Sequence, residues 1–248
     1  MKYKFLFKTT ALVMVFSGCA AVNPLVNDFN VVSIAQEQQM SNEMAGQISQ
    51  QMKIVNDARL NQTVNQIGQR LVSALPSKDF QYEFKVVNDP TPNAFTIPGA
   101  KIYVHTGLLN FVSDQNELAG VLAHEIGHAY ERHPAKGVSR FIGVQTLSQL
   151  LFKDTQNRLG NIALNIAQNG ALMKYGRDDE READELGYNL LKRAGYPTDG
   201  LRRFLTKLDQ MAKSGSGPAF LSSHPPTPER IARLKALEAG QAYVPAKG

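Results

Sequence analysis

The amino-acid sequence predicts an α+β fold that is mainly helical and contains a small β-sheet. Three observations support this fold class. Much of the chain carries apolar residues at the three- and four-residue spacing of amphipathic helices. Two short segments, 80–87 and 101–105, carry the alternation and the β-branched and aromatic residues of strands. Neither an internal repeat nor a second domain boundary is present, so residues 33–240 are expected to form one domain.

Helices make up most of the predicted elements. The first begins near Ser33, and the second ends at Leu75 because proline, here Pro76, cannot continue a helix. The predicted helices are 33–52, 58–75, 106–112, 114–133, 136–150, 160–173, 178–194, 198–212 and 227–238.

The most informative motif is H-E-x-x-H at residues 124–128, in an otherwise apolar helix. Since a helix turns once in 3.6 residues, His124 and His128 project from one face and can bind one zinc ion. Glu125 lies beside them, within reach of a water on the metal. The alternative is a surface helix with two histidines and an exposed glutamate, which predicts a polar stripe on that face. Gly120 and Val121, about one turn away, favour an enclosed site instead.

The third ligand has to come from another element, because a catalytic zinc site uses three protein ligands and a water. The metzincin extension of the motif fails here, since Glu131 and Pro134 stand where its glycine and last histidine belong. His133 follows His128 by five positions, which rotates it away from the metal-binding face. We therefore expect His133 to end the helix before Pro134.

The acidic segment 178–187 opens an amphipathic helix and offers the missing ligand. Glu180 and Asp184 are four residues apart and share one face. Glu180 is suited to bind zinc, while Asp184, one turn later, can hydrogen-bond a ligand histidine or the substrate. Glu182 is expected to point to the opposite side. The alternative is a solvated acidic helix N-terminus favoured by the helix dipole.

Taken together, H-E-x-x-H and the later E-x-x-A-D at 180–184 resemble the gluzincin metallopeptidases of the HtpX and CAAX prenyl endopeptidase family. Two segments also resemble the periplasmic BepA/LoiP-like branch: N-A-F-T-I-P-G-A-K-I-Y-V at 93–104 and S-H-P-P-T-P-E-R-I at 223–231. The resemblance runs from about Gln36 to about Leu237. The family usually has a second glycine at the position of Ala100. This difference affects the expected local turn and not the expected chemistry.

The resemblance implies a zincin-like fold with one Zn²⁺ per chain. It assigns His124, His128 and Glu180 as zinc ligands, and Glu125 and Asp184 as catalytic residues.

It also implies that an edge strand of the small sheet flanks the zinc site. An extended polypeptide can pair with the backbone of such a strand, which lets a peptidase accept varied sequences. Asn93, Ala94 and Phe95 are therefore the expected substrate-binding residues.

The segment around His224 has two interpretations. In BepA-like proteins its histidine can approach the zinc and take the position of a water, which would make His224 a fourth ligand and a self-inhibitory plug. The alternative is a loop histidine stiffened by Pro225 and Pro226, or one that binds substrate. Arg230 either braces this loop, stabilises an oxyanion or is an ordinary arginine at a helix start.

The N-terminus resembles a bacterial lipoprotein signal peptide. A basic start precedes a short apolar run, 11–16, and small residues precede Cys19. The apolar run is too short to span a bilayer. We expect cleavage of residues 1–18, lipid on Cys19, a membrane-proximal tether over 19–32 and, since no aspartate follows the cysteine, a location on the periplasmic side of the outer membrane. The alternative is an ordinary cleaved signal with an incidental cysteine.

The amino-acid composition limits the classes of partner that the protein is expected to bind. The net charge is +5, from 27 basic and 22 acidic residues, and the basic residues are spread along the chain without interleaved aromatics. Nucleic-acid binding therefore has no support. A mild basic excess suits the surface of an anionic membrane, and the single cysteine excludes an intramolecular disulfide.

These expectations describe a zinc endopeptidase that degrades misfolded or misassembled polypeptides of the bacterial envelope. Glu125 would take a proton from the attacking water and return it to the leaving amine. The alternative is a chaperone or assembly factor for outer-membrane proteins with low or gated proteolysis. His224 separates the two, since a plugged zinc predicts low basal cleavage. A purely structural zinc would leave Glu125 without a role.

Overall fold

The computed structural model describes residues 30–140, 175–215 and 220–243. The predicted signal peptide, Cys19 and the predicted helix 160–173 lie outside these ranges. Where the structure is described, it is mainly helical with one small three-stranded sheet, which confirms the predicted fold class. None of the helices in these three ranges is long and apolar enough to cross a bilayer.

The two N-terminal helices begin at side chains that cap them. Helix α1 (Ile34–Gln51) follows Ser33, whose hydroxyl accepts from the Gln36 backbone N–H while the Gln36 side chain accepts from the Ser33 N–H. Helix α2 (Ala58–Ser73) follows Asp57, whose carboxylate accepts from two backbone N–H groups of the first turn. Both helices were predicted from the sequence, with small differences at their ends.

The sheet comprises β1 (Glu83–Val87), β2 (Ala94–Ile97) and β3 (Lys101–His105), in the spatial order β1-β3-β2. Strand β3 lies in the middle, parallel to β1 and antiparallel to β2. The predicted strand 80–87 is shorter in the structure, because its ladder with β3 begins only at Glu83. Strand β2 is an edge strand and lies in the segment for which the resemblance implied one.

The turn between β2 and β3 forms although it lacks the usual second glycine. Gly99 and Ala100 both adopt left-handed backbone conformations, with φ of 76° and 60°. A non-glycine residue in that region costs about 1 kcal/mol, because its Cβ approaches the following carbonyl oxygen. Gly99 is fixed by its own N–H, which donates to the carboxylate of the buried Glu37 on α1 at 3.1 Å.

Six further helices have both of their ends within the described residues. They are α3 (Thr106–Phe111), α4 (Gln115–Tyr130), α5 (Arg177–Arg193), α6 (Gly200–Lys213), α7 (Phe220–Ser223) and α8 (Pro228–Glu238).

Helix α4 ends earlier than the predicted range 114–133. Glu131 caps it, and Arg132 turns the chain with a left-handed φ of 57°. A new helical segment then runs over residues 133–140 and begins three residues before the predicted helix 136–150, of which 136–140 is described. Pro134 lies in its first turn, where its missing N–H costs nothing.

Helix α4 runs through the middle of the domain, and every residue from 117 to 129 is buried. It crosses α5 at very short range. A Cβ at Gly127 would lie 2.8 Å from the carbonyl oxygen of Ala183, and one at Gly187 would lie 3.2 Å from the backbone of Ala123. These two glycines let the backbones touch, so side chains one turn away on α4 and α5 meet.

The sheet is covered on both faces. Buried side chains of β1 and β3, such as Phe84 and Val104, join the main core with α2 and α4. On the other face, Tyr103 of β3 packs in a smaller core with Ile48 of α1 and with Tyr175. The chain just before α1 is also held to this domain, since Val31 N donates to Ser139 Oγ at 3.1 Å.

Candidate metal centre

Four side chains from three parts of the fold meet in one buried cluster. His124 and His128 come from α4, Glu180 from α5, and His224 from the segment that follows α7. One nitrogen or oxygen of each lies within 4.8 Å of the others, and none of the four is more than 2% exposed. The expected same-face projection of the two α4 histidines is confirmed by the 3.1 Å between their Nε2 atoms.

The spacing of these atoms fits a small tetrahedral cation. His224 Nδ1 lies 3.2 Å from His124 Nε2 and 2.9 Å from Glu180 Oε1, and the latter lies 3.4 Å from His128 Nε2. Four ligands at zinc-like bond lengths of about 2.0 Å stand about 3.3 Å apart in a tetrahedron. Three imidazole nitrogens directed at one point also repel each other unless a cation lies between them. The cluster is therefore able to hold a metal ion.

The surroundings shift the pKa values of two histidines of the cluster in opposite directions. Burial lowers the pKa of His224, but the carboxylates of Glu180 and Glu125 outweigh that effect and raise the pKa above its ordinary value. Burial and the neighbouring His124 hold the pKa of His128 well below its ordinary value. His128 is thus kept neutral, which is the state in which an imidazole binds a metal.

His124 is oriented by an acid that has its own buried cation. Asp184 Oδ1 lies 3.0 Å from His124 Nδ1, and both Asp184 oxygens accept from Arg230, at 2.7 and 2.8 Å. Burial raises the pKa of Asp184, but Arg230 outweighs this and lowers it. Asp184 therefore stays ionised and directs His124 Nε2 towards the cluster.

Arg230 braces the segment that carries His224. It is 4% exposed, donates to the Pro225 carbonyl oxygen at 3.1 Å and lies 2.5 Å from Glu180 Oε2. Its contacts with Asp184 complete the set. Among the three roles that the sequence left open for Arg230, these contacts match that of bracing the His224 loop.

Glu125 stands at the edge of the cluster and is held on one side only. Thr96 Oγ1, on edge strand β2, lies 2.8 Å from Glu125 Oε2 and 3.1 Å from the Glu125 carbonyl oxygen. The other carboxylate oxygen, Oε1, has no hydrogen-bond partner among the residues described and lies 3.5 Å from His224 Nε2. Thr96 lies in the segment 93–104 that the sequence singled out, but its contact with Glu125 was not predicted, because only the fold brings β2 alongside α4.

Of the predicted substrate-binding residues, Ala94 and Phe95 lie on β2, and Asn93 directly precedes it. Asn93 O accepts from His105 N at 3.0 Å, so the antiparallel register turns the backbone groups of Ala94 and Thr96 away from β3, towards the free edge. The Phe95 ring stacks on Tyr103, at 5.0 Å between centroids, on the sheet face that α1 covers.

Two expectations about the surroundings of the motif are wrong. His133 does not end α4 but is fully buried behind His128, with 2.9 Å between their Nδ1 atoms. Glu182 does not point away, since its Oε2 lies 3.1 Å from His133 Nε2. The His133 error came from extending one straight helix through residue 133, whereas the chain turns at Arg132, which has a left-handed φ of 57°. Glu182 lies on α5, and the structure places His133 within its reach.

Comparison with known proteins agrees with this geometry. The model of peptidase family M48 matches residues 58–238. The chain is 30% identical over 213 residues to the beta-barrel assembly-enhancing protease of Escherichia coli (strain K12), which covers 82% of this chain and 44% of that protein.

Mitochondrial relatives are similar as well. The chain is 30% identical over 175 residues to the mitochondrial metalloendopeptidase OMA1 of Schizosaccharomyces pombe, which covers 69% of this chain and 51% of that protein. The Arabidopsis thaliana protein of the same name is 35% identical over 148 residues, or 58% of this chain and 29% of that protein. This chain thus spans about half the length of the first two relatives. By the family match and these identities, the chain belongs to peptidase family M48.

Proposed function

We propose that the protein is a zinc endopeptidase of the bacterial envelope. The observation that carries this proposal is the buried cluster of three imidazoles and one carboxylate with the carboxylate of Glu125 at its edge. A structural metal site has no use for that extra carboxylate. Membership of family M48 and the names of the relatives, two of which are called metalloendopeptidases, agree with it.

His124, His128 and Glu180 would hold the zinc ion, which when bound supplies the Lewis acidity that activates a water and polarises the scissile carbonyl. Glu125 accepts the proton that the water loses as it attacks the carbonyl carbon, and then gives it to the nitrogen of the leaving amine. Thr96 holds Glu125 Oε2, so the free Oε1 is the atom left to carry this proton.

The substrate would be an extended polypeptide added to the free edge of β2. The outward-facing backbone groups of Ala94 and Thr96 offer a ladder that reads no particular side chain. Asn93, which directly precedes this strand, and Phe95, its second residue, would contact the same segment. Misfolded or misassembled envelope proteins, which expose extended backbone, suit such a site.

The test of this function is the substitution Glu125→Gln. It keeps the shape of the side chain but removes its basicity, so it should abolish cleavage of an unfolded protein such as casein while zinc stays bound at one ion per chain. Glu185→Gln, the same change on an exposed side chain of α5, is the matched control and should cleave like the wild type. Full activity in Glu125→Gln would refute the mechanism.

A second function, assembly or chaperone activity with gated proteolysis, is favoured by the position of His224. Its Nδ1 occupies the fourth corner of the cluster and its Nε2 faces Glu125 Oε1 at 3.5 Å. With His224 as a fourth protein ligand, a bound ion would have no open position for an attacking water. The name of the Escherichia coli relative, an assembly-enhancing protease, fits both roles.

Replacing His224 by Ala separates the two functions. A gated enzyme should cleave casein at least several-fold faster once the plug is removed, whereas a permanently active one should lose activity or stay unchanged. Zinc content is measured alongside, because a variant that lost its zinc would not report on gating.

We further propose that Cys19 carries lipid after cleavage of residues 1–18, that residues 19–32 link it to the domain, and that the protein lies on the periplasmic side of the outer membrane. The apolar run before the cysteine and the absence of a following aspartate support this location. Incorporation of a labelled fatty acid should disappear in Cys19→Ser. Unchanged labelling would exclude Cys19 as the acceptor.

A further inference from the structure

A second buried histidine lies behind the ligand histidine His128. His133 is 0% exposed, and its Nδ1 lies 2.9 Å from the Nδ1 of His128. On its other side, His133 Nε2 lies 3.1 Å from Glu182 Oε2 and 3.7 Å from Asp179 Oδ1. The side chain of Glu182 is 47% exposed, so the contacts from His128 through His133 to Glu182 connect the metal cluster with the protein surface.

The backbone is shaped to bring these groups together. Arg132 adopts a left-handed conformation at φ 57°, and its guanidinium is tied to Glu37 at 2.8 Å and to the Val32 carbonyl oxygen at 2.7 Å. The turn therefore returns the chain under α4, and His133 faces back towards His128. Such a strained conformation in a non-glycine residue persists only where surrounding contacts fix it.

Only one arrangement of protons lets His128 bind a metal through the nitrogen that faces the cluster. Nε2 must carry the lone pair, so the proton of the neutral ring lies on Nδ1. That proton is donated to His133 Nδ1, which must then be the unprotonated nitrogen of its own ring. The proton of His133 consequently lies on Nε2 and is donated to Glu182.

We propose that His133 is a positioning residue for the metal site: it accepts the Nδ1 proton of His128, and Glu182 fixes the tautomer that lets it do so. This inference rests on the proposed role of His128 as a metal ligand. Ligand histidines generally donate their second N–H to a partner that sets ring orientation, and loss of the partner costs about 10- to 100-fold in metal affinity. Here that partner is a neutral imidazole.

Zinc affinity, measured by competition with a chromophoric chelator, tests the proposal without any activity assay. His133→Leu removes the acceptor and should bind zinc about 10- to 100-fold more weakly than the wild type. His133→Asn keeps an acceptor, its Oδ1, near the position of Nδ1 and should stay within a few-fold of the wild type. His105→Leu is the control, since His105 is also buried, at 5% exposed, but its Nδ1 contacts the Thr91 carbonyl oxygen instead.

Imidazole ¹⁵N spectra of the zinc-loaded wild-type protein give a second readout, which does not depend on whether a substituted protein folds. His128 should be protonated at Nδ1 and His133 at Nε2, and the chain has only five histidines to assign. Protonation of His133 at Nδ1, or wild-type affinity in His133→Leu, would overturn the inference and leave the proposed function intact. A wild-type protein that bound no zinc would overturn both.

Discussion

The two histidines of the H-E-x-x-H motif lie one helical turn apart, yet the protein supports them in different ways. His124 faces the carboxylate of Asp184, which is fully ion-paired with the buried Arg230. His128 faces the neutral ring of His133. The other nitrogen of that ring contacts the half-exposed carboxylate of Glu182. A buried carboxylate needs a buried cation, whereas a neutral imidazole needs none.

Because of this difference, the contacts around His124 support both the fold and the metal ligands, whereas those around His128 support only metal binding. On the His124 side, Arg230 joins α8, the His224 segment and two acids of α5, so the same ion pairs hold both the fold and the ligands. On the His128 side, the contacts serve the orientation of one ring. We therefore expect substitutions on the two sides to have effects of different size and kind.

The largest effect is expected from Arg230→Met. It leaves Asp184 and Glu180 buried without their cation, which typically destabilises a protein by about 3–5 kcal/mol. Urea unfolding of the zinc-free protein measures this loss. Arg202→Met, which breaks the partly exposed pair with Glu238, is the matched control and should cost about 1 kcal/mol or less. Equal losses in the two variants would contradict the structural role of Arg230.

An intermediate effect is expected from Asp184→Asn. The amide keeps the size of the side chain but loses the charge that holds the Nδ1 proton of His124, so zinc affinity should fall about 10- to 100-fold. Chelator competition measures it. If Asp184→Asn bound zinc as tightly as the wild type, Asp184 would have no role in orienting His124.

The smallest effect is expected from Glu182→Gln. The amide oxygen of glutamine can still accept from His133 Nε2, and the half-exposed carboxylate is already screened by water. Zinc affinity should therefore change by no more than about twofold, the size typical of surface substitutions. A loss as large as that of Asp184→Asn would show that the charge of Glu182, and not only its acceptor atom, supports His128.

The sequence contains enough to predict the parts of the site that depend on helical spacing. The four-residue interval puts His124 and His128 on one face, and the same interval puts Glu180 and Asp184 on one face of α5. Neither interval reveals that the two faces meet. The meeting of the two faces depends on the close crossing of α4 and α5 at Gly127. In the sequence, only the family resemblance implied this meeting.

The residues that support the motif were not predictable in the same way. His133 was misplaced because a helical rotation was continued past Arg132, where the chain turns, and a left-handed arginine has no sequence signature. The contact of Glu182 with His133 was missed because that turn brings His133 within reach of α5. Thr96 was missed because its contact with Glu125 joins a strand to a helix far along the chain. Contacts of this kind follow from tertiary packing.

Zinc K-edge X-ray absorption of the loaded protein tests the metal centre most directly. We predict one zinc per chain with three imidazole nitrogens and one carboxylate oxygen, from His124, His128, His224 and Glu180. In His224→Ala the imidazole count should fall to two, while zinc remains bound. A wild-type protein that binds no zinc, or an imidazole count that is unchanged in His224→Ala, would contradict the metal site described for this fold.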